Sequence, residues 1–247
     1  MEQIIEREDY LPGNKRVIRQ RSDIFSYSMD AVLLAKFVHV RGAARIADLC
    51  AGTGAVPLMM SLRTGAIIEA LELQPFLCEL FERSIQANEL ERQISLYEGD
   101  LRYMKDFPLG KYDVVTCNPP YFPVTKEKGV NENTSKTMAR HEVSCTLEDA
   151  VKAAASLVRS KGKAAFVHRP ERLADIFQVM KKYRLEPKRI QYVHPKKGKE
   201  ANIVLIEGVK DGGTGIKTEA PWIVYGDAGE YTPEFYKHYM IGGEKDE

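Results

Sequence analysis

The stretch from residue 113 to residue 122 constrains the fold more than any other part of this 247-residue chain. Its first half, Asp-Val-Val-Thr-Cys, is a short run typical of a strand buried in a parallel sheet. The run stops at Asn118, because the two prolines that follow lack a backbone N–H and Pro119 favours an extended conformation at the residue before it. Open α/β sheets bind ligands beyond the carboxyl ends of their strands, so the sequence predicts that Asn118 lies at a ligand site.

The end of this stretch also carries groups suited to a planar amine. The side-chain oxygen of Asn118 and the backbone carbonyl of Pro119 can together accept both hydrogens of a substrate amino group. Tyr121, with Phe122 beside it, can stack on the flat group that carries the amine. We therefore take Asn118, Pro119 and Tyr121 as candidate catalytic residues, and Tyr121 and Phe122 as candidate substrate contacts. The alternative is a structural turn with a packed aromatic ring.

A length of 247 residues fits one large α/β domain with additions. The fractions of hydrophobic and charged residues, 44% and 29%, are ordinary for a soluble protein. The first six residues are acidic and lack the apolar stretch of a signal peptide, and no apolar run approaches the length of a membrane span. The four cysteines form no Cys-x-x-Cys pair. We therefore expect a cytoplasmic protein with reduced cysteines, no metal site and no membrane partner; the sequence leaves the oligomeric state open.

A glycine turn follows another predicted strand, from Arg45 to Leu49. Gly52 and Gly54 provide positions where the backbone can adopt a positive φ or let a ligand approach closely, and the start of the following helix favours an anionic group. A dinucleotide-binding fingerprint requires a third small residue three positions after Gly54, where this chain has Pro57. The turn therefore argues for a cofactor site and against a nicotinamide oxidoreductase.

Three acidic residues stand at the ends of successive predicted strands. Asp48 precedes the glycine turn, Glu72 ends the next strand, and Asp100 follows the third. Glu72 lies 18 positions after Gly54, where this type of fold can hold a carboxylate that accepts hydrogen bonds from ribose hydroxyls. Each acid alone is more often a loop residue or a helix cap, but their succession indicates a single site at one edge of the sheet.

The Asn-Pro-Pro-Tyr sequence at 118–121 matches the signature of S-adenosylmethionine-dependent methyltransferases that act on a planar amino nitrogen. The pattern Asp48-x-x-x-Gly52-x-Gly54 resembles their first cofactor motif, in which the turn receives the methionine carboxylate. The resemblance covers roughly residues 15–210. It implies S-adenosylmethionine as cofactor and an α/β class I fold, with a Rossmann-like seven-stranded sheet, helices on both faces and the last strand antiparallel.

The resemblance also implies individual roles. Glu72 would bind the cofactor ribose and Asp100 its adenine amino group, while the segment around Phe25 and Ser28 would line the cofactor pocket. A structural alternative remains, in which Phe25 and Tyr27 only staple the start of the helix that Ser28 caps. The candidate cofactor-binding residues are therefore Asp48, Gly52, Gly54, Glu72, Asp100, Phe25, Ser28 and Asn118.

Among these methyltransferases, the chain most resembles those that methylate adenine N6 in bacterial tRNA. The resemblance lies in Phe25-Ser26-x-Ser28-x-Asp30 and the following Ala-x-Leu-Leu, together with the glycine turn and the Asn-Pro-Pro-Tyr sequence. Members of that group modify the adenine 3′ of the anticodon in a valine tRNA. Two alternatives stay open: a ribosomal RNA guanine-N2 methyltransferase, which more often has Phe at the position of Tyr121, and a protein glutamine N5-methyltransferase, which usually has an additional N-terminal helical domain.

The expected organisation has three parts. Residues 1–28 form an extension that lines the cofactor pocket and is irregular apart from short strands around Arg16 to Ile18. Residues 29–210 form the methyltransferase domain, and residues 211–247 form a C-terminal extension with a short helix. The polar loop from residue 122 to 145 is a candidate lid. Within it, His141 is a weaker candidate for a catalytic base, because an arylamine nitrogen can lose its proton after methyl transfer without a strong base.

Basic residues are concentrated in one region. Between Ser160 and Glu200 there are 12 Lys and Arg residues against 4 Asp and Glu residues, although the net charge of the chain is only +1. Lys196, Lys197 and Lys199 lie at the predicted tip between the last two strands. We interpret them as contacts to tRNA phosphates, with a merely solvated basic surface as an equally weighted alternative.

Overall fold

The computed structural model describes residues 5–13, 15–22, 26–120 and 145–240. Its strands are β1 (Glu6–Tyr10), β2 (Val17–Arg21), β3 (Arg45–Leu49), β4 (Ile67–Glu72), β5 (Ile94–Glu98), β6 (Tyr112–Cys117), β7 (Val158–His168), β8 (Leu185–Lys196), β9 (Ile203–Lys210), β10 (Lys217–Thr218) and β11 (Trp222–Tyr225). Its helices are α1 (Met29–Phe37), α2 (Ala55–Met60), α3 (Pro75–Ala87), α4 (Leu147–Leu157), α5 (Leu173–Lys182) and α6 (Pro233–Tyr239), with a 3₁₀ turn at Pro170–Arg172.

The main sheet has the strand order β10-β8-β9-β7-β6-β3-β4-β5, and β11 also pairs with β8. All strand pairs within the group β3 to β7 are parallel. Strand β9 runs antiparallel to both β7 and β8. The expected seven-stranded arrangement with an antiparallel last strand is therefore confirmed in β3 to β9. The sheet has two more strands than expected, because β10 and β11 pair one after the other with the free edge of β8. Strands of two and four residues are too short to leave a periodic signal in the sequence.

Helices cover both faces of this sheet, as expected. One hydrophobic cluster packs α1, α2, α3 and α6 against one face, and a second packs α4 and α5 against the other. Helix α1 is buried on nearly all sides, with seven of its nine residues inaccessible, because it lies between the sheet, α2 and α6. Helix α4 begins with a capping box formed by Thr146 and Asp149.

The N-terminal segment is more ordered than the sequence suggested. Strand β2 overlaps the short strand expected around Arg16 to Ile18, whereas the expectation of irregular structure was wrong for β1. The two strands form an antiparallel hairpin. Its sequence signal is weak because β1 is charged and almost wholly exposed, whereas β2 buries Ile18 and Gln20. The hairpin docks on α3, where the backbone N–H groups of Val17 and Arg19 donate to the side chains of Asn88 and Ser84 over 2.9 Å each.

Within the described ranges, each helix is too short or too polar to cross a membrane.

Candidate functional site

The parallel strands β3, β4, β5 and β6 bring the predicted site residues to one edge of the sheet. Asp48 is the register partner of Thr116 across β3 and β6, so Asn118 lies two residues further along at the same edge. Glu72 ends β4 beside the end of β5, and Asp100 follows β5 by two residues. The geometry of the sheet therefore gathers Asp48, Glu72, Asp100 and Asn118 where the strands end.

The glycine turn between β3 and α2 depends on left-handed backbone conformations. Cys50, Gly52 and Gly54 have φ values of 58°, 57° and 90°. A Cβ at Gly54 would lie 2.1 Å from ring atoms of Phe81, whereas one at Gly52 would meet none of the described atoms within 4 Å. Gly54 is therefore required for packing on α3, and Gly52 leaves the turn open on the side where a ligand would approach.

Glu72 holds this turn in place. Its Oε2 accepts a 2.8 Å hydrogen bond from the backbone N–H of Gly52, and its Oε1 accepts from the backbone and side-chain nitrogens of Gln74 at 3.0 and 3.3 Å. The carboxylate is almost wholly buried, and burial raises its pKa while these hydrogen bonds oppose the rise. The sequence did not reveal this structural role. The acceptor capacity that remains on the two oxygens is available to ribose hydroxyls.

Asp48 has one satisfied and one unsatisfied oxygen. Its Oδ1 accepts a 2.5 Å hydrogen bond from the hydroxyl of Thr116, while its buried Oδ2 has no hydrogen-bond partner among the described residues. Burial raises the pKa of Asp48 to about 8, although the Thr116 hydrogen bond opposes the rise. Buried polar atoms are normally paired, so an unpaired acceptor at this edge suits a ligand that brings a donor, above all a cationic one. Thr116 was missed because its contact depends on the β3–β6 register.

Asp100 is held by a neighbour on its own loop. Arg102 donates from its backbone N–H to Oδ1 over 2.8 Å, and its guanidinium contacts both carboxylate oxygens at 2.5 to 3.0 Å. This guanidinium is the main cause of the lowered pKa of Asp100. Asp100 is therefore an ionised acceptor whose two oxygens are oriented by Arg102.

Asn118 follows the last residue of β6 and is half-buried, Pro119 is buried and Pro120 is half-buried. The candidate residues Tyr121, Phe122, His141 and Phe25 lie outside the described residues, as does most of the candidate lid.

The structure gives Ser28 a capping role. Its Oγ accepts a 3.4 Å hydrogen bond from the N–H of Ala31 at the start of α1. The adjacent Tyr27 is fixed to the hairpin, since its N–H donates to the Gln20 side chain over 2.7 Å and its hydroxyl to the Tyr10 carbonyl over 3.0 Å. The segment before α1 thus connects the hairpin to the helix that packs against α2, which follows the glycine turn.

Three cysteines that are far apart in the sequence meet beneath the site. The thiol of Cys50 contacts the thiols of both Cys117 and Cys145. The contact with Cys117 and burial raise the pKa of Cys50, and the contact with Cys50 and burial raise the pKa of Cys145. All three are free cysteines. Neutral thiols in this position fill space between the glycine turn and the end of β6.

The basic tip, Lys196 to Lys199, lies at the same edge of the sheet because β8 runs parallel to β3 and β6. Lys197 and Lys199 are exposed, whereas Lys196 is half-buried and donates to the carbonyl of Asp227 over 3.3 Å. Three strand spacings separate β8 from β6 in the order β6-β7-β9-β8, or about 14 Å. The tip and Asn118 therefore lie on the same side of the molecule.

No group of three or more His, Cys, Asp or Glu side chains suited to hold a metal ion occurs in the part of the chain that the structure describes.

The chain is similar in sequence to proteins of known name. Two relatives are named tRNA1(Val) (adenine(37)-N6)-methyltransferase. That of Tolumonas auensis is 30% identical over 179 residues, covering 72% of this chain and 73% of its own length. That of Parabacteroides distasonis is 29% identical over 167 residues, covering 67% and 69%.

A solved structure from Agrobacterium tumefaciens, described as a predicted O-methyltransferase, superposes with a TM-score of 0.68 at 24% identity. The match covers 85% of this chain and 95% of that one, and it shows the shared fold. The family model of the methyltransferase small domain matches residues 16–182, which is more than half of the chain and includes the glycine turn, the acidic strand ends and Asn118. The chain therefore belongs to the methyltransferase small domain family.

Proposed function

We propose that this protein is an S-adenosylmethionine-dependent methyltransferase that methylates adenine N6 in tRNA, at the adenine 3′ of the anticodon of a valine tRNA. The observation that carries the proposal is the placement of Asn118 and Pro119 at the end of β6, at the same edge as the buried acids and the open glycine turn. The names of the relatives, which specify adenine 37 and tRNA1(Val), support the substrate. A tRNA substrate is consistent with a cytoplasmic protein.

The residues at this edge fit the methyl donor. S-adenosylmethionine supplies an activated methyl group. The unpaired Oδ2 of Asp48 suits a hydrogen bond from a cationic amino group, and the turn at Gly52 is open to a carboxylate. Glu72 retains acceptor capacity for ribose hydroxyls, and an adenine amino group would replace one of the Arg102 contacts on Asp100. Each of these four residues thus serves one polar part of the donor.

Asn118 and Pro119 act on the target amine. The lone pair of adenine N6 is delocalised into the ring, so the nitrogen is a poor nucleophile. Hydrogen bonds from its two protons to the Asn118 side-chain oxygen and the Pro119 carbonyl concentrate electron density on the nitrogen and fix its direction. Because two acceptors hold one amino group, the nitrogen approaches in a single orientation, and positioning is the largest contribution to the rate.

The aromatic residues and the basic tip bind the RNA. Tyr121 and Phe122 hold the target base by stacking, which contributes about 1–3 kcal/mol per base in comparable sites. A base in an anticodon loop is partly unstacked already, so it enters the site at lower cost than a base in a duplex. Lys196, Lys197 and Lys199 contact phosphates, which position an RNA without reading its sequence.

A substrate screen tests the proposal. The protein is incubated with a labelled methyl donor and separate pools of tRNA, ribosomal RNA, DNA and protein, and the labelled product is identified. We expect label only in tRNA, as N6-methyladenosine, and loss of the label when the adenine 3′ of the anticodon of the valine tRNA is replaced by guanine. Label recovered as N2-methylguanosine in ribosomal RNA, or as methylglutamine in protein, would contradict the proposed substrate.

A further inference from the structure

A cavity of 480 Å³ lies beside β11 and α6, apart from the candidate cofactor residues. This volume is within the range of small-molecule sites. Its lining combines aromatic rings with charged groups and includes Lys197, Trp222, Tyr225, Asp227, Glu234 and His238. None of the roles in the proposed transfer reaction accounts for these aromatic side chains.

The walls of the cavity are held in place by hydrogen bonds. The hydroxyl of Thr232 donates to the carbonyl of Ile223 over 2.6 Å and accepts from the N–H of Phe235 at 3.2 Å, so the start of α6 is fixed to β11. The Thr232 N–H also donates to the carbonyl of Val224 over 2.9 Å. The Phe235 ring, only 1% exposed, packs on Tyr231 with ring centroids 5.2 Å apart. A cavity with such walls binds a ligand without first having to order them.

The exposed groups of the cavity match the chemistry of a nucleotide. Trp222 is half-exposed and its ring lies 5.6 Å from the exposed His238 ring at an angle of 30°, so both present aromatic surface. Lys197 supplies a cation, and Asp227 and Glu234 supply carboxylate acceptors. Aromatic rings stack on any base, a carboxylate accepts from exocyclic amino groups, and an ammonium pairs with phosphate.

The position of the cavity favours a base from the same RNA that enters the transfer site. Strand β11 pairs in parallel with the end of β8, where Tyr225 is the register partner of Lys196. The cavity therefore lies near the edge of the sheet that carries Asn118. Four strand spacings, or about 19 Å, separate β11 from β6. The exposed lysines of the basic tip lie between the two.

We propose that this cavity binds one unstacked nucleobase of the tRNA other than the target adenine, with the base stacked on Trp222 and a flanking phosphate near Lys197. The identity of the RNA rests on the proposed function, whereas occupancy of the cavity is measured independently of methyl transfer. Such a second base contact makes the enzyme sensitive to the sequence and shape of the anticodon loop beyond the methylated position.

The fluorescence of Trp222 tests this directly, because the chain has only one tryptophan. The full-length protein is titrated with the anticodon stem-loop of the valine tRNA and, separately, with S-adenosylhomocysteine. We expect saturable quenching by the RNA and unchanged emission with S-adenosylhomocysteine alone. Replacing the loop nucleotides one at a time by abasic residues should remove the quenching at a single position that differs from the target adenine.

Variants provide the second measurement. Trp222→Leu should weaken RNA binding by about 5- to 150-fold, the range for loss of one base–aromatic stack, and leave cofactor affinity unchanged. His238→Ala, a change at an exposed side chain, should weaken RNA binding in the same direction and guards against misfolding of the first variant. Tyr236→Ala is the matched control, because Tyr236 is 49% exposed on α6 and does not line the cavity.

The proposal would be overturned if Trp222→Leu and His238→Ala bind RNA as tightly as the wild type and if RNA leaves the Trp222 emission of the wild-type protein unchanged. This holds even if methyl transfer to tRNA proceeds normally. A change of emission with protein concentration alone, without RNA, would assign the cavity to a second copy of the chain and would also overturn it. If RNA quenches Trp222 but no methyl transfer to tRNA is found, the cavity stands as an RNA site and the proposed function fails.

Discussion

The backbone N–H of Gly52 donates a 2.8 Å hydrogen bond to the buried carboxylate of Glu72, a residue 20 positions further along the chain. This contact joins the glycine turn after β3 to the end of β4. The other oxygen of the same carboxylate accepts from Gln74. Glu72 therefore shapes the turn that approaches the cofactor and, in the proposed site, binds the cofactor itself, so the two roles must be separated by experiment.

We expect Glu72→Ala to weaken donor binding and to lower thermal stability. The change leaves the N–H groups of Gly52 and Gln74 without their acceptor, and each buried unpaired group costs about 1–3 kcal/mol. Calorimetry with S-adenosylhomocysteine and thermal unfolding measure the two effects. Glu98→Ala is the matched control, because Glu98 is the exposed register partner of Glu72 on β5. Unchanged donor affinity in Glu72→Ala would remove this residue from the ribose role.

Asp48 should make the cofactor-free protein less stable as the pH rises. Its pKa is raised to about 8 in the folded state, above the value of about 3.9 in an unfolded chain. Between these pKa values the folded state holds the proton that the unfolded state has released. The contribution of Asp48 to the free energy of unfolding is therefore fully present below about pH 4 and is lost by about pH 8. Asp48→Asn should remove this part of the slope when unfolding by denaturant is measured from pH 5 to pH 8.

Thr116→Val provides the complementary test. The Thr116 hydroxyl donates to Asp48 and lowers its pKa, so its removal should raise the pKa further and extend the loss of stability to higher pH. Valine keeps the volume and β-branching of threonine, so packing in β6 changes little. A pH profile identical to that of the wild type would show that the hydroxyl has no influence on the carboxyl group.

The sequence predicted the seven central strands because β3 to β9 are long enough to show apolar runs between turn signals. It also predicted the edge where Asp48, Glu72, Asp100 and Asn118 meet, since the carboxyl ends of parallel strands coincide. Pairing between side chains was harder to foresee. The contact of Asp48 with Thr116 depends on the β3–β6 register, which no local pattern specifies.

Other features were missed for reasons of composition and length. Strand β1 is rich in charge and exposed, so it lacks the alternation that a half-buried strand shows. The contact of Cys50 with Cys117 and Cys145 is invisible in the sequence, because wide spacing along the chain hides the fact that strand ends and a helix start converge. Such contacts are set by tertiary packing.

Asn118→Ala should lower the rate of transfer by about 100-fold or more, because the target nitrogen loses one of its two fixed acceptors. Donor affinity should stay close to that of the wild type, since the amide is assigned to the target amine. Single-turnover transfer to tRNA and calorimetry with S-adenosylhomocysteine separate the two quantities. Asn118→Gln keeps the amide but moves it by one methylene group, and it should recover only part of the rate. Full turnover in the alanine variant would refute the assigned mechanism.

The basic tip should account for part of the salt dependence of tRNA binding. Replacing Lys196, Lys197 and Lys199 by glutamine should weaken binding and flatten the dependence of affinity on salt by up to about three units of slope, one for each lysine that no longer pairs with a phosphate. Because Lys196 also donates to the Asp227 carbonyl, the double variant at the exposed Lys197 and Lys199 should produce most of this change.

The matched control for the basic tip replaces Lys181 and Lys182 of α5 by glutamine, which removes two positive charges from a helix on the opposite face to α6. These lysines pair with Glu186 and Glu148, so they should contribute little to phosphate binding. Affinity measured from about 50 to about 200 mM salt distinguishes the two surfaces, because this is the range over which phosphate pairing changes affinity most visibly. Donor binding should be the same in every variant. If the wild type and the tip variants have the same dependence of affinity on salt, these lysines do not contact phosphate and only keep the exposed turn between β8 and β9 soluble.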